Sequence, residues 1–167
     1  MSNVIYKQGQ ISDIDENLGI VKGYGSVFGN KDSDNDIIEK GAYRRTIKNN
    51  GSRVKYLYQH DITKPIGKMK ELYEDEKGLV FVAEVPKTTF GNEVLELMKY
   101  GVIDENSVGI MPVKKDYDED GIRVIKEAKL YEISAVTIAA NDEAKILEVK
   151  GEYDNIDYLT KRFDNLI

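Results

Sequence analysis

Short alternating segments separated by turn residues run through most of the chain, and they constrain the fold more than any other feature. Segments such as NVIYKQGQIS, GIVKGYGSVFG, VKYLYQH and IRVIKEAKLYEISAVTIAA are rich in β-branched and aromatic residues, with glycine, asparagine or aspartate marking the turns between such segments. In VKYLYQH, for example, Val54, Tyr56 and Tyr58 alternate with the residues of the other face. This period of two predicts strands with one apolar face, so the chain is expected to be β-rich.

Helical spacing is confined to two or three short segments. In AYRRTIKNNG, Tyr43 and Ile47 lie four residues apart and Gly51 is expected to end the helix; FGNEVLELMKYGVI shows the same spacing, with Gly101 as its stop. We therefore expect the α+β class, with a single β-rich domain over residues 1–150. Residues 151–167 resemble an amphipathic helix that serves packing or oligomerisation, with an apolar stripe formed by Ile156, Leu159, Phe163 and Leu166.

The composition limits the chemistry that the chain can support. A net charge of −6 over 167 residues leaves no basic surface for nucleic acid. The absence of cysteine excludes a thiol nucleophile, a disulfide framework and a cysteine zinc site, and one histidine with scattered carboxylates predicts no metal site or cofactor. No signal peptide or membrane-spanning stretch is recognisable, so a soluble protein of a reducing cytoplasm with no membrane partner is expected.

The acidic segment DSDNDIIEKGAY invites comparison with a calcium-binding loop. Asp32, Asp34 and Asp36 occupy the first three ligand positions, but Ile37 replaces the required glycine and Tyr43 replaces the bidentate glutamate. The segment is therefore interpreted as a turn whose aspartates bind local backbone amides.

The only histidine, His60, follows an apolar strand and precedes Pro65 and Gly67, which are expected to interrupt the chain. Loops at the ends of rigid strands often carry catalytic groups, although a surface or hydrogen-bonded histidine is the commoner case. Because no cysteine is present, His60 is the first candidate for acid–base chemistry near neutral pH.

Two further segments carry candidate chemistry. In NSVGI, Ser107 lies at a strand start and Gly109 would permit close approach of a substrate, but the pattern is not the nucleophile elbow of hydrolases. In LYEISAVTIAAN, Glu132 lies in an apolar strand, where a carboxylate is costly unless an imidazole, a cation or solvent satisfies it. Ser134 and Thr137 are rival hydroxyls in the same strand.

Four segments in the same order resemble the prohead (capsid maturation) proteases of tailed bacteriophages. They are GYGSVFGNKDSDNDIIEKGAYRRTI, VKYLYQHDITKPIGKMKELYEDEKGLVFVAEV, LMKYGVIDENSVGI and LYEISAVTIAAN, and together they run from about Gly23 to about Glu148. Members of that family often have leucine before the serine and phenylalanine after the Ser-Ile-Gly, where this chain has Asn106 and Ile110. The resemblance implies a β-barrel surrounded by a few helices, similar to that of the herpesvirus assembly proteases.

The resemblance also implies a catalytic triad. His60 matches the family's Gln-His-Asp motif as general base, Ser107 its Ser-Ile/Val-Gly motif as nucleophile, and Glu132 its Glu-Ile/Val-Ser motif as the third member, with Asp61 the less favoured alternative. By loose analogy with the herpesvirus enzymes, the turn around Gly121–Arg123 is one candidate for the oxyanion hole. No cofactor is implied.

By the same resemblance, the function is that of a serine endopeptidase acting inside the phage procapsid in the host cytoplasm. Its expected substrates are scaffolding protein or the scaffolding segment of the major capsid protein, and its own chain, and a homo-oligomer is expected. Two alternatives stay open. One is an inactive procapsid scaffold or assembly component of the same fold, and the other is a β-rich binding module in which the three side chains do not converge.

Overall fold

The computed structural model describes residues 5–13, as a strand and its pairings, and residues 19–139 in full. Its elements are β1 (Ile5–Asp13), β2 (Ile20–Val27), β3 (Asp36–Ile38), α1 (Arg44–Asn50), β4 (Lys55–Tyr58), β5 (Asp61–Glu74), β6 (Gly78–Glu84), α2 (Thr89–Lys99), β7 (Glu105–Tyr117) and β8 (Arg123–Val136). The helix predicted over residues 151–167 and the boundary at residue 150 lie outside the described residues.

The strands of the described part form one curved sheet that closes on itself. Their neighbour order is β3-β8-β4-β5-β6-β2-β1-β7, and β7 also pairs with β8, which closes a ring from β8 to β7 and leaves β3 as a branch on β8. The closed ring hides most strand edges, as a barrel does. The architecture confirms the expected α+β class, a β-rich barrel with few helices.

Large apolar side chains fill the space that the sheet encloses. The rings of Tyr56 and Phe81 lie 5.0 Å apart, between centroids, and both side chains are fully buried. Helix α2 contributes Val94 and Met98 to the same core. The sequence correctly predicted this helix and its end, where Gly101 takes a positive φ of 69°. None of the described helices is long and apolar enough to cross a membrane.

Two local predictions were wrong. Pro65 and Gly67 do not interrupt the chain, because β5 runs through both and accommodates Pro65 at an irregularity in its pairing with β4. The predicted end of α1 is confirmed, since the helix stops at Asn50 with Gly51 as its C-cap, and the 3-10 turn Gly51–Arg53 follows it. The acidic segment contains the short strand β3, which its turn-forming composition concealed.

The long strand β8 has different neighbours along one edge. At its beginning it pairs in parallel with β3, and near its end it pairs in parallel with β4, where Lys55 lies beside Glu132 and Tyr58 beside Ala135. Helix α1 covers the interval, because the buried Thr46 hydroxyl donates to Ala128 O at 3.0 Å and accepts from Leu130 N at 3.1 Å. These contacts fix the part of β8 that leads into the candidate site.

Candidate active site

A β-bulge at Tyr131 decides which side chains of β8 face the core. Glu132 pairs with Gly109 and Leu130 pairs with Ile110, so Tyr131 has no partner on β7. The core residues of β8 nearest the bulge have even numbers before it (Ala128 and Leu130) and odd numbers after it (Ile133 and Ala135). Such an extra residue re-aims the side chains that follow it. Glu132 therefore lies on the face opposite the core.

Four side-chain positions share that face of the β7–β8 pair. Ser107 pairs with Ser134 and Gly109 pairs with Glu132, and residues two apart on one strand point to the same side. Paired residues of antiparallel strands have Cβ atoms about 5 Å apart. The register thus places Ser107 next to Ser134 and one pair away from Glu132, and all three residues are buried, at 3%, 0% and 8% exposure.

His60 reaches this face from the tight turn that joins β4 to β5. Tyr58 pairs with Asp61 across the turn, and the two residues between them, Gln59 and His60, have positive φ angles of 53° and 57°. Two successive positive φ angles are the signature of a type I′ turn, which normally carries asparagine or glycine. Each of these side chains costs of the order of 1 kcal/mol in the left-handed region. The surrounding contacts must therefore hold the turn.

Backbone and side-chain hydrogen bonds to β8 hold it. Gln59 N donates to Ala135 O at 2.9 Å, and Gln59 Nε2 donates to Thr137 Oγ1 at 2.5 Å. His60 N donates to Ser134 Oγ at 3.1 Å. Because β4 is itself paired with β8, the turn comes to lie directly over the end of β8.

His60 and Glu132 are in direct contact. His60 Nδ1 lies 2.8 Å from Glu132 Oε1, and the two side chains are 20% and 10% exposed. An ionised carboxylate only accepts hydrogen bonds, so Nδ1 carries the proton in this pair. When the imidazole is neutral, Nε2 is therefore the ring nitrogen that carries no proton, which is the tautomer that a general base needs.

The second carboxylate oxygen of Glu132 is also bound. Ser134 Oγ donates to Glu132 Oε2 at 2.6 Å. A carboxylate that would be costly in a buried strand thus has a partner for each oxygen, as the sequence analysis required. Beneath it, the absence of a side chain at Gly109 is essential, because a Cβ there would lie 2.3 Å from Oε1.

Buried polar contacts also hold the strand segment that carries Ser107. Asn106, fully buried, accepts a hydrogen bond from Tyr56 Oη at 3.0 Å and donates to Tyr24 O at 3.3 Å. Burial raises the pKa of Tyr56 well above its usual value, so its hydroxyl stays protonated. The Asn106 amide therefore joins β7 to β2 and β4.

Two rival candidates lie elsewhere. The carboxylate of Asp61 accepts hydrogen bonds from Thr63 N and Thr63 Oγ1 at 2.9 and 2.6 Å, and these bonds lower its pKa. Thr137 is engaged with Gln59. Glu132 and Asp61 were the two alternatives for the partner of the imidazole, and Glu132 is the one whose contact with His60 the structure shows.

The turn around Gly121–Arg123, one candidate for the oxyanion hole, lies at the end of β8 remote from Glu132. Arg123 begins β8 and Glu132 lies near its other end, so roughly 30 Å of strand separates them at about 3.3 Å per residue. The guanidinium of Arg123 donates hydrogen bonds to both carboxylate oxygens of Asp36, in the acidic segment, at 2.7 and 2.6 Å. Asp32 accepts hydrogen bonds from the backbone of Asp34 and Asp36, as a turn-forming aspartate does.

The structure thus brings together Glu132 and His60 by direct contact and Ser107 by strand register. Three features of the site were not predicted from the sequence: the space at Gly109 for the carboxylate, the place of Gln59 in the turn, and the bond from Ser134 to Glu132. Strict alternation after Glu132 would have placed Ser134 on the same face. No sequence signal revealed the positive φ angles.

The chain is similar to known proteins of one phage family. The model of the caudovirus prohead serine protease family matches residues 7–158. The chain is 37% identical over 142 residues to the prohead protease of Enterobacteria phage HK97, and 29% identical over 137 residues to that of Escherichia phage T5. These matches cover 82% and 79% of the chain, but 63% and 64% of the relatives, so the chain spans just under two thirds of their length.

A solved structure has the same fold. The bacteriophage T4 capsid assembly protease superposes with a TM-score of 0.64 at 13% identity, over 80% of this chain and 97% of the other. At 13% identity this likeness shows only that the fold is shared. The family is shown by the match of its model to residues 7–158. The chain belongs to the caudovirus prohead serine protease family.

Proposed function

We propose that the chain is a serine endopeptidase of procapsid maturation, with Ser107 as nucleophile, His60 as general base and Glu132 as the partner of the imidazole. The observation that carries the proposal is the 2.8 Å contact between His60 Nδ1 and Glu132 Oε1, formed on the strand face that also bears Ser107. Membership of the prohead serine protease family supports it.

In the proposed mechanism, His60 Nε2 takes the proton of Ser107 as Oγ attacks a peptide carbonyl carbon. The C–O bond forms, the carbonyl electrons move to the oxygen, and the tetrahedral intermediate collapses when His60 returns the proton to the leaving amine. Water, deprotonated by the same imidazole, then hydrolyses the acyl-enzyme. Glu132 holds the imidazole in the tautomer with Nδ1–H and stabilises the imidazolium that forms in each half-reaction.

The proposed substrates follow from the relatives, two of which are named prohead proteases and one a capsid assembly protease. We infer cleavage of scaffolding protein or of the scaffolding segment of the major capsid protein, and of the enzyme's own chain. The enzyme would act inside the procapsid in the host cytoplasm, as a homo-oligomer, with residues 1–150 as the protease domain.

The test is co-expression with the capsid and scaffolding proteins, comparing the wild type with Ser107→Ala by intact mass. Processed fragments are expected only with the wild type. Thr63→Ala is a matched control, because it also removes a hydroxyl, but one that binds Asp61 and lies outside the strand face of the site. Equal processing by wild type and Ser107→Ala would exclude Ser107 as the nucleophile. Absence of fragments in every sample under conditions that yield procapsids would favour the inactive assembly component.

A further inference from the structure

Ser134 holds two parts of the candidate site with one hydroxyl group. Its oxygen lies 2.6 Å from Glu132 Oε2 and 3.1 Å from the backbone nitrogen of His60, and the residue is fully buried. A serine hydroxyl has one proton to donate and lone pairs to accept. The amide of His60 can only donate and the ionised carboxylate can only accept, so the Ser134 proton points to Glu132.

This pattern argues against Ser134 as a nucleophile. A nucleophilic serine gives its proton to an imidazole nitrogen, whereas the Ser134 proton is committed to a carboxylate oxygen and its lone pair to a backbone amide. Ser107 is the residue of β7 that pairs directly with Ser134 and lies on the same face of the strand pair. Ser107 and Ser134 are therefore assigned different roles, Ser107 as the nucleophile and Ser134 as a hydrogen-bonding partner of Glu132 and His60.

We propose that Ser134 is a positioning residue that orients Glu132 and the His60 turn together; this inference rests on the proposed function. Binding of Oε2 by Ser134 leaves Oε1 facing His60 Nδ1, so the carboxylate cannot rotate away from the imidazole. Binding of the His60 amide holds a turn whose positive φ angles, 53° and 57°, are unfavourable for glutamine and histidine. One side chain thus controls both ends of the His60–Glu132 contact, as supporting hydrogen bonds do in other sites.

Reactivity of the nucleophile gives the first test, because it needs no protein substrate. The full chain is treated with a fluorophosphonate, whose phosphorus bonds to Ser107 Oγ as fluoride leaves, and labelling is followed by intact mass. Ser134→Ala is expected to lower the labelling rate constant about 10- to 100-fold. Ser26→Ala is the matched control, since it removes the hydroxyl of another buried serine, which lies on β2 beside Tyr43; a change of less than threefold is expected.

The single histidine gives a second test that does not depend on activity. With a tag that lacks histidine, ¹⁵N-labelled protein has one imidazole, that of His60. The wild type is expected to show a downfield proton on Nδ1, the signature of a hydrogen bond to a carboxylate. Ser134→Ala should broaden or shift this signal, and Ser134→Thr, which restores the hydroxyl, should recover both the signal and the labelling rate.

The outcomes separate the two proposals. If Ser134→Ala does not fold, as judged by its amide spectrum, Ser134→Cys fills the same space with a weaker donor and is measured in its place. Unchanged labelling and an unchanged His60 signal in a folded variant would overturn the positioning role while leaving the function intact. Failure of the proposed function would give a different result. Labelling would persist in Ser107→Ala, while the Nδ1 proton signal of His60 would still change in Ser134→Ala.

Discussion

Gly109 lies directly opposite Glu132 in the β7–β8 pair, and a Cβ atom on Gly109 would stand 2.3 Å from Glu132 Oε1. The carboxylate therefore occupies the space of a missing side chain. Real Cβ atoms do not approach an oxygen so closely, so any side chain at this position must displace the group that binds His60.

We expect Gly109→Ala to abolish most of the activity, by about 100-fold or more, because misplacement of a catalytic group by 1 Å is enough for such a loss. The measurement is the rate of labelling by a fluorophosphonate or of capsid protein cleavage. Gly51→Ala is the matched control, since the nearest atom to its Cβ is 3.9 Å away and its φ is −54°. Wild-type rates in Gly109→Ala would show that the His60–Glu132 contact is dispensable.

The positive φ of Gln59 predicts an order of stabilities for variants of the turn. Gln59→Val should lower the free energy of unfolding by about 1–2 kcal/mol, because a β-branched side chain is strained in the left-handed region. Gln59→Asn should cost less than Gln59→Val, since asparagine tolerates this region, although its shorter side chain sacrifices the bond to Thr137. Urea unfolding measures both, and a Val variant as stable as the Asn variant would contradict the turn geometry.

The Asp36–Arg123 pair predicts a loss of stability without a loss of catalysis. Arg123→Met leaves the carboxylate of Asp36, 1% exposed, without its guanidinium, and should cost about 3 kcal/mol. The hydrogen bond to Asp36 is also the main cause that raises the pKa of Arg123, because the carboxylate stabilises the charged guanidinium. The double variant Asp36→Leu/Arg123→Met should recover much of the loss.

Activity per folded molecule should stay within about threefold in Arg123→Met, because roughly 30 Å of strand separates Arg123 from Glu132. Labelling rates at a temperature where the variant is folded check this. A large fall in the rate would return Arg123 to consideration as an oxyanion donor.

The buried Tyr56–Asn106 bond predicts a double-mutant cycle. Asn106→Leu leaves the hydroxyl of Tyr56 without its acceptor inside the core, at a cost of about 1–3 kcal/mol. Adding Tyr56→Phe to this variant removes the hydroxyl that has lost its acceptor. The double variant should therefore lose less free energy of unfolding than the sum of the losses in the two single variants. Additive free energies of unfolding would show that the hydrogen bond contributes nothing.

Tyr24 predicts a loss of stability at high pH. Burial, followed by its hydrogen bond to Asp75 at 2.6 Å, raises the pKa of Tyr24 from 10.0 to about 12. Because the folded state holds this proton more tightly than the unfolded state, the contribution is complete below pH 10 and is lost as the pH rises to about 12. Tyr24→Phe should therefore lose less stability than the wild type across this interval.

Asp75→Asn serves as the second variant in that experiment, because it removes the carboxylate but keeps the phenol. Its loss of stability between pH 10 and 12 should lie between those of the wild type and Tyr24→Phe. Identical curves for all three proteins would mean that Tyr24 titrates alike in both states.

The order of the elements could be predicted from the sequence because it depends on local patterns. Alternation with a period of two marked most of the strands, and helical spacing followed by Gly101 marked α2. The chemical candidates His60, Ser107 and Glu132 could likewise be named, since each belongs to a motif of a recognisable family. These inferences require only residue types and spacing, which one chain provides.

Only the tertiary structure decided which candidates meet, because that depends on pairing between distant segments. The bulge at Tyr131 turns Glu132 away from the core, the register sets Ser107 beside Ser134, and the left-handed turn brings His60 onto Glu132. The register also places Arg123 far from the site, where it forms an ion pair with Asp36. A single-residue change in register reverses the face of every side chain that follows it, and local spacing does not encode where that change occurs.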